Sequence, residues 1–360
     1  MTNKIHYQDV DLAYYRAIDL LKQMISTPSF SRAEELVADL LEEWLRAEGI
    51  EPIRKGNNLL LFPAHFDPDK PVILLNSHID TVRPTPSWTR NPFEAVEEEE
   101  RLYGLGSNDA GASVVSLLLT WLCLKETEQS FNLIFVASAE EEVSGKNGIE
   151  SILPELPPIH FAIVGEPTGM APAIAEKGLM VIDGTVYGKS GHAARNEGIN
   201  AIYEALPVME RLRDFHFEKE SPLLGNVKVS LTQVNAGTQH NVIPDKCTFV
   251  LDVRTNECYS NEEAFSILSR VAECELKARS FRLNSSALND KHPFVTRAVM
   301  LGKKPFGSPT LSDQALLPFP SVKIGPGDSA RSHTADEYIC QNEIREAITL
   351  YIKLLDGLNL

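Results

Sequence analysis

Paired cysteines and an excess of positive charge are missing from this sequence of 360 residues, no apolar run is expected to approach membrane-spanning length, and each of these absences argues against a class of protein. The five cysteines are scattered and form no Cys-x-x-Cys pair, which argues against a disulfide framework or a thiolate zinc site and favours reduced thiols in the cytoplasm. We expect neither a secretory leader nor a membrane span. The 50 acidic residues outnumber the 34 basic ones, and the net charge of −16 disfavours nucleic acid and anionic membranes as partners.

The length of the chain and the spacing of its apolar residues predict two domains. At 360 residues the chain is too long for one ordinary hydrophobic core. Short apolar runs rich in branched side chains predict strands buried on both faces, at 72–75, 132–137, 161–164 and 322–324. An apolar segment predicts a helix packed on the sheet at about 112–125, and Ser31 with Glu34 predicts a capping box that opens a helix running to about residue 48.

A different pattern between about 176 and 289 predicts an inserted domain. Residues 179–187 alternate between apolar and polar, as in an antiparallel strand with one exposed face. The elements that follow give the order β-α-β-β-α-β, which is that of the ferredoxin-like motif. We therefore expect an α/β domain at 1–175 and 290–360, with helices on both faces of a mixed sheet, and a ferredoxin-like α+β domain at 176–289.

The strand at 72–75 runs on into His78 and Asp80. Residues i and i+2 of an extended chain project to the same side, so the imidazole and the carboxylate leave the strand end together. A metal-binding histidine needs such a neighbour, because a carboxylate on its second nitrogen fixes the tautomer. A solvated histidine beside a turn-forming aspartate is the alternative for this stretch taken alone.

Acids or imidazoles also follow the other predicted buried strands. The full set is His78, Asp80, Asp109, Glu141, Glu142, Glu166 and His333. In open α/β sheets ligands bind at the carboxyl edge, and so many carboxylates on one edge would repel each other unless a cation neutralised them. Two imidazoles with carboxylates and no thiolate suit zinc, or manganese or cobalt in its place. A single metal ion would leave some of these side chains without an ion to bind, whereas two ions that share a carboxylate would use them all.

Five segments of the sequence occur in a recognisable order, namely Ser77–Thr81, Gly104–Asp109, Ala139–Val143, Gly165–Thr168 and His333–Tyr338. Together, with the inserted domain in the matching gap, they resemble the M20 metallopeptidase family over nearly the whole chain. Within that family the chain is similar to the acetylornithine deacetylase-like amidohydrolases. The resemblance implies a zinc-peptidase-like catalytic domain and an inserted domain that serves as lid and dimerisation domain.

For the metal ions, the resemblance implies two zinc sites that share one ligand. His78 and Glu166 are expected to bind one ion, Glu142 and His333 the other, and Asp109 both. Cobalt or manganese ions are alternatives to zinc at such a ligand set.

For catalysis, the resemblance implies that Asp80 orients His78 and that Glu141 is the general base. Glu141 would draw a proton from a metal-bridging water and pass it to the leaving amine, because zinc lowers the pKa of bound water to about 7. Glu140 stands where relatives often carry Asp, and a supporting role is expected for it.

In the inserted domain, Gly191–Ala194 resembles the family's lid histidine segment, so His192 is expected to reach across a dimer to the scissile carbonyl. Asn241 and Arg254 match positions that contact the substrate carboxylate or the oxyanion, and an Arg side chain can bind a carboxylate with two hydrogen bonds. Gly327 is expected to shape the loop at the substrate backbone.

The leading hypothesis is a cytoplasmic homodimer that removes an acetyl group from the α-nitrogen of an amino acid, with N-acetyl-L-ornithine of arginine biosynthesis as the nominal substrate. Leu105 and residues 110–112 depart from the family pattern, which often has Arg and Lys there, and this leaves the specificity open. The alternative substrates are acetylcitrulline, succinylornithine, succinylcitrulline, acetyl-lysine, succinyl-diaminopimelate and dipeptides. The same residues also allow a site with a single metal ion, or a non-catalytic protein that needs metal to bind its ligand.

Overall fold

A computed structural model describes residues 9–125, 127–195 and 197–360. These residues form two compact units. Unit 1 contains residues 9–174 together with Leu288–Phe306 and Ser312–Leu360, and unit 2 contains Ala175–Ala287 and Gly307–Leu311. The chain therefore leaves unit 1 after residue 174 and returns to it at residue 288, with a second, short excursion at 307–311.

Helices and short strands alternate along the described parts of the chain. The α-helices are α1 (Val10–Ile25), α2 (Glu35–Ala47), α3 (Ala112–Leu124), α4 (Ile149–Ile152), α5 (Ala201–Asp214), α6 (Asn261–Ala272), α7 (Pro293–Met300) and α8 (Gln341–Leu355). The strands are β1 (Ile53–Lys55), β2 (Asn58–Leu61), β3 (Val72–His78), β4 (Val96–Glu98), β5 (Arg101–Tyr103), β6 (Asn132–Ser138), β7 (Phe161–Val164), β8 (Ala173–Glu176), β9 (Met180–Tyr187), β10 (Gly191–His192), β11 (Lys228–Ala236), β12 (Val242–Ile243), β13 (Lys246–Arg254), β14 (Glu275–Ala278), β15 (Ser286–Ala287), β16 (Phe306–Ser308), β17 (Ser321–Lys323) and β18 (Tyr338–Cys340).

The core of unit 1 is a mixed sheet whose central strands are fully buried. Its strands follow the order β1-β2-β6-β3-β7-β17-β8. Strand β3 runs parallel to β6 and β7, β7 runs parallel to β17, and β2 runs antiparallel to β6. Every residue of β3 and β6 is buried, which confirms the sequence prediction of strands covered on both faces.

Helices cover both faces of this sheet, because the apolar side chains of β3 alternate between two cores. Ile73 and Leu75 belong to the larger core, which contains buried residues of α1, α3 and α8. Val72 and Leu74 belong to a smaller core, which contains buried residues of α4. The predicted mixed sheet with helices on both faces is confirmed.

Helix α3 is the central helix of the larger core. All of its residues are buried, and Trp121 donates a hydrogen bond from Nε1 to the carbonyl of Leu133 at 2.9 Å. Residues Ser107–Leu124 are long and apolar enough to pass for a membrane-spanning helix by length and composition, so the expectation that no apolar run approaches that length is wrong. Because 94% of this segment is buried inside the fold, its apolar character is that of a core helix.

The register of β3 brings the carboxyl ends of three parallel strands to one edge of the sheet. His78 pairs with Ser138 at the end of β6, and Asn76 pairs with Val164 at the end of β7. Residues that follow β3, β6 and β7 therefore emerge side by side, at the edge where open α/β sheets bind their ligands.

The predicted capping box at Ser31 and Glu34 is wrong. Helix α2 begins at Glu35 without a side-chain cap, and the Ser31 hydroxyl instead donates to Oδ2 of Asp80 at 2.7 Å. The buried Glu34 side chain accepts the N–H of Arg32 at 2.6 Å. The local pattern fails because a buried carboxylate distant in sequence, that of Asp80, needs the hydroxyl as a hydrogen-bond donor.

Unit 2 is built on an antiparallel sheet in the order β11-β13-β9-β14. The chain order of its main elements is β9-α5-β11-β13-α6-β14, so the ferredoxin-like fold predicted from the sequence is confirmed. Alternate residues of β13, among them Phe249 and Leu251, pack with Ala205 of α5 and Leu268 of α6 in one core.

Candidate metal centre

Asp80 links the end of β3 to the loop that follows β6. Its carboxylate accepts hydrogen bonds from the backbone N–H groups of Glu141 (3.0 Å) and Glu142 (3.1 Å) and from the hydroxyl of Ser31 (2.7 Å). Nδ1 of the buried His78 ring lies 2.9 Å from the Asp80 carbonyl oxygen and 3.5 Å from Oδ1 of its carboxylate. Nδ1 is therefore engaged as a donor, and Nε2 is left as the ligand atom.

The first possible ligand set consists of His78, Asp109 and Glu166. Nε2 of His78 lies 3.3 Å from Oδ1 of Asp109 and 3.7 Å from Oε1 of Glu166. The three side chains each offer a ligand atom, and these atoms lie within 4.8 Å of one another. Such spacing suits one metal ion bound by a nitrogen and two oxygens.

The second possible set consists of Asp109, Glu142 and His333. Nε2 of His333 lies 2.9 Å from Oε2 of Glu142 and 3.6 Å from Oδ2 of Asp109. His333 has a φ of 58°, a left-handed conformation that few residues other than glycine adopt and that is enriched in functional loops. Asp109 therefore presents one carboxylate oxygen to each histidine, as a bridging ligand would.

Glu141 lies beside the first set without belonging to either set. Its Oε2 is 4.0 Å from Nε2 of His78, whereas the neighbouring Glu142 reaches His333. The two glutamates enter the cluster because Glu140, just after β6, has a φ of 56° and turns the chain sharply.

The side chain of Glu140 points away from the two ligand sets. Its Oε1 accepts a hydrogen bond from the side-chain amide of Asn147 at 2.8 Å, and its backbone N–H donates to Glu34 at 3.2 Å. A Cβ added to Gly145 would lie 1.9 Å from Oε2 of Glu140, so the loop closes tightly over this carboxylate. These contacts hold the loop that carries Glu141.

Burial changes the proton affinity of the cluster. It raises the pKa of Glu166 to about 8 and the pKa of Glu141 well above its usual range. Burial would also raise the pKa of Asp109, but the hydrogen bond and charge of His78, the hydrogen bond of Ser332 and the charge of His333 together outweigh it and lower that pKa. The hydrogen bond to Glu142 raises the pKa of His333 to about 9.

The residues of the cluster fit divalent cations. Oε1 of Glu166 is buried and has no hydrogen-bond partner in the described parts of the chain, although it faces Nε2 of His78. A buried oxygen of this kind is costly unless an ion or a water completes its environment. Imidazole and carboxylate groups are the ligands that zinc, manganese and cobalt accept.

The predicted lid residues lie in unit 2. His192 is exposed in β10, where its Nδ1 accepts the N–H of Ala194 at 3.1 Å, so that Nε2 is left as the donor nitrogen. Asn241 is close by, since its carbonyl accepts the N–H of Ala193 at 3.0 Å. Arg254, at the end of β13, forms two hydrogen bonds with the Asp252 carboxylate, at 2.8 and 3.1 Å.

Gly327 lies in unit 1, against the turn that carries Asp109. It has a φ of 90°, and an added Cβ would lie 2.3 Å from Oδ1 of Asn108. Its carbonyl accepts the N–H of Gly169 at 2.7 Å. Only glycine fits this close approach, so Gly327 packs the loop after β17 onto the turn that carries Asp109.

Leu105, Ala110 and Gly111, which depart from the family pattern, lie behind the first ligand set. They line a cavity of about 20 Å³ together with Asp80 and Thr81. Within the described residues, the buried hydroxyl of Thr81 has no hydrogen-bond partner. The cavity has room for one water molecule.

Two buried acids of this edge were not identified from the sequence. Glu337 accepts hydrogen bonds from the backbone of the turn that carries Asp109. Asp313 accepts hydrogen bonds from Asn76 (2.8 Å) and Ser138 (2.7 Å) at the ends of β3 and β6. Glu337 lies in a segment that carries the family resemblance, which was the available signal, whereas nothing in the sequence around Asp313 marks it.

Comparison with known proteins decides the family. The model of peptidase family M20/M25/M40 matches residues 74–357. The chain belongs to this family. An acetylornithine deacetylase of Proteus mirabilis (strain HI4320) is 27% identical over 362 residues, covering 89% of this chain and 91% of that protein. A putative succinyl-diaminopimelate desuccinylase of Mycobacterium tuberculosis is 28% identical, covering 94% of this chain and 98% of that protein.

Solved structures share the fold of this M20 chain. A tripeptidase from Staphylococcus aureus superposes with a TM-score of 0.75 at 19% identity, covering 95% of this chain and 97% of that one. A dinuclear metal-binding peptidase of the M20 family from Bacillus subtilis gives a TM-score of 0.74 at 19% identity, covering 96% and 98%. The chain is thus a metal-dependent hydrolase of linear amides, and the predicted family and enzyme class are confirmed.

Proposed function

We propose that this M20 chain removes an acyl group from the α-nitrogen of an amino acid, with two metal ions in each subunit. The observation that carries the proposal is the pair of ligand sets that share Asp109, with Glu141 beside them and outside both. Imidazole and carboxylate ligands without thiolates favour zinc, with cobalt or manganese as substitutes.

The residues of the cluster divide the work of amide hydrolysis. When bound, the metal ions lower the pKa of coordinated water and polarise the scissile carbonyl. Glu141 accepts the proton of the attacking water and transfers it to the leaving nitrogen. Asp80 fixes the backbone of Glu141 and the ring of His78.

Chelation is expected to abolish amide hydrolysis, and zinc is expected to restore it, because the clustered acids have no other means of polarising a carbonyl. The measurement is hydrolysis of N-acetyl-L-ornithine by protein dialysed against a chelator, before and after addition of Zn²⁺, with metal content determined by elemental analysis. Hydrolysis that persists in metal-free protein contradicts the proposal. So does zinc that binds in two equivalents without restoring hydrolysis of any N-acyl amino acid.

N-acetyl-L-ornithine, an intermediate of arginine biosynthesis, is the proposed substrate. Its support is the presence of acetylornithine deacetylases among the curated relatives. A desuccinylase of similar identity keeps succinyl-diaminopimelate as a close alternative, with the acyl-citrullines, succinylornithine, acetyl-lysine and dipeptides behind it. A comparison of kcat/KM across these compounds distinguishes them, and a higher value for any other compound replaces acetylornithine as the substrate.

Unit 2 is proposed as the lid and dimerisation domain. His192 would donate from Nε2 to the scissile carbonyl across the dimer, while Asn241 and Arg254 would bind the substrate carboxylate or the oxyanion. Because Arg254 already pairs with Asp252, the substrate carboxylate would have to share or displace this partner.

An exposed apolar surface on α5 and β11 supports a homodimer formed through unit 2. Tyr203 and Leu206 of α5 are 69% and 52% exposed, and Leu231 and Val234 of β11 are 44% and 49% exposed. Strand β11 lies at the sheet edge and pairs only with β13 among the described strands. Native proteins usually cover such edges, and a second copy would do so by pairing β11 with its own equivalent across a two-fold axis.

Leu206→Glu is expected to shift the protein from dimer to monomer, because it places a charge in the apolar surface that the second copy would cover. Sedimentation velocity of the full chain measures the change. Met300→Glu is the matched control, since Met300 of unit 1 is 79% exposed and should leave the dimer intact. A wild-type protein that sediments as a monomer, or equal dissociation in both variants, would refute this surface.

We place the enzyme in the cytoplasm, because all five cysteines are free, as in a reducing compartment.

The rival from another functional class is a metal-dependent binding protein without catalytic activity. The position of Glu141 disfavours it, since a binding protein needs no base beside its metal ligands.

A further inference from the structure

Glu337 is a buried carboxylate whose oxygens bind the backbone of the turn that carries Asp109. Oε1 accepts the N–H groups of Asn108 (2.8 Å) and Asp109 (2.9 Å), and Oε2 accepts the N–H of Gly106 (3.1 Å). The carbonyl of Glu337 accepts a fourth, from the N–H of Gly104 at 3.0 Å. Glu337 is only 2% exposed, so solvent cannot replace these bonds.

The turn that carries Asp109 is also joined to the loop that carries His333. The side-chain amide of Asn108 donates to the carbonyl of Asp328 at 3.1 Å and accepts its N–H at 3.0 Å. Asp328 lies before His333 and Glu337 after it, so this loop is fastened to the turn on both sides of the histidine. The hydrogen bonds of Glu337 and Asp328 therefore connect the turn that carries Asp109 to the loop that carries His333.

We propose that Glu337 is a positioning residue that fixes Asp109 relative to His333 and so sets the affinity of the second ligand set for its metal ion. The inference rests on the proposed two-metal site. Ligands on separate loops must be held within about 0.5 Å of their coordinating positions, and charge-assisted bonds to backbone N–H groups supply that rigidity. Of the first set, only Asp109 lies in the segments that Glu337 connects, so the metal affinity of the first set should depend less on Glu337.

Titration of metal-free protein with Zn²⁺ by isothermal calorimetry tests the proposal. The wild type is expected to bind two ions, and Glu337→Ala to bind one of them about 10–100-fold less tightly, the usual effect of removing an outer hydrogen-bond partner of a ligand. Glu337→Gln retains an oxygen for Asn108 and Asp109 but presents an NH₂ group to the N–H of Gly106, so an intermediate loss is expected.

Asn261→Ala is the matched control. Asn261 is equally buried, lies in unit 2, and donates to the backbone carbonyls of Leu283 (2.8 Å), Phe281 (3.2 Å) and Leu179 (3.4 Å). Its loss is expected to lower the melting temperature of the full chain without changing zinc affinity. An equal loss of zinc affinity in this variant would overturn the proposal, because the effect would then reflect general destabilisation.

Zinc binding by Glu337→Ala with wild-type affinity at both sites also overturns the positioning role. If Glu337→Ala fails to fold, Glu337→Gln carries the test, and a wild-type isotherm for that variant is the overturning result. A wild-type protein that binds no zinc refutes the proposed function instead, so the two failures are distinguishable.

Discussion

Glu141→Gln is expected to slow amide hydrolysis by about 10²–10⁴-fold while leaving two metal ions bound, because the variant loses the general base and no ligand. The amide side chain has nearly the shape of the carboxylate, so the 141–143 turn and its bonds to Asp80 should persist. The measurement is kcat on the best substrate, together with the metal content of the same preparation.

Glu140→Gln is the matched control for this experiment. It makes the same chemical change one residue earlier, at a side chain that bonds Asn147 and lies outside both ligand sets. Because glutamine keeps an oxygen that can accept the hydrogen bond of Asn147, the loop should stay in place and the rate should remain close to that of the wild type. If Glu141→Gln hydrolyses at the wild-type rate, Glu141 is not the general base. If both variants lose the same activity, the cause is damage to the loop that carries them.

Asp109→Ala is expected to remove the high-affinity binding of both metal ions and to reduce hydrolysis to background. Asp109 is the one side chain common to both ligand sets, offering Oδ1 towards His78 and Oδ2 towards His333. Its loss leaves each set with one imidazole and one carboxylate, too few to hold an ion tightly. Several kcal/mol of transition-state stabilisation should disappear with the metal ions.

His333→Ala is the matched comparison for Asp109→Ala. His333 belongs to the second set alone, so this variant should lose one ion and keep the ion of the first set. Elemental analysis of both variants after equilibration with Zn²⁺ measures the difference. If Asp109→Ala retains one tightly bound ion, the two metal ions do not share the Asp109 carboxylate as a ligand. If the wild type itself binds only one ion, the single-metal alternative replaces the two-metal proposal.

Most of the fold could be predicted from the sequence because its signals are local. The buried runs that became β3, β6 and β7 consist of consecutive apolar, branched residues, and no partner is needed to identify them. The positions of the candidate ligands follow from the same signal, since parallel strands end at one edge. The alternation in β9 likewise revealed a sheet with one covered face.

The supporting residues of the site could not be predicted, because their roles depend on contacts across the fold. Ser31 was assigned to a helix cap by its local pattern, yet its hydroxyl binds Asp80, 49 residues further along the chain. Glu337 binds the backbone of residues more than 220 positions earlier, and backbone N–H groups leave no mark in a sequence. Asp313 reaches Asn76 across 237 residues in the same way.

Glu142 and His333 meet in the cluster although they lie 191 residues apart in the sequence. Bringing such distant groups together in a flexible chain carries an entropic cost that grows with the logarithm of the loop length. The inserted unit lowers this cost, because it pairs its own two ends, Ala175 with Ala287 and Glu176 with Ser286. Once unit 2 has formed, it joins residues 174 and 288 as a short connection would, and the late segments of unit 1 can then assemble as if they were contiguous with the early ones.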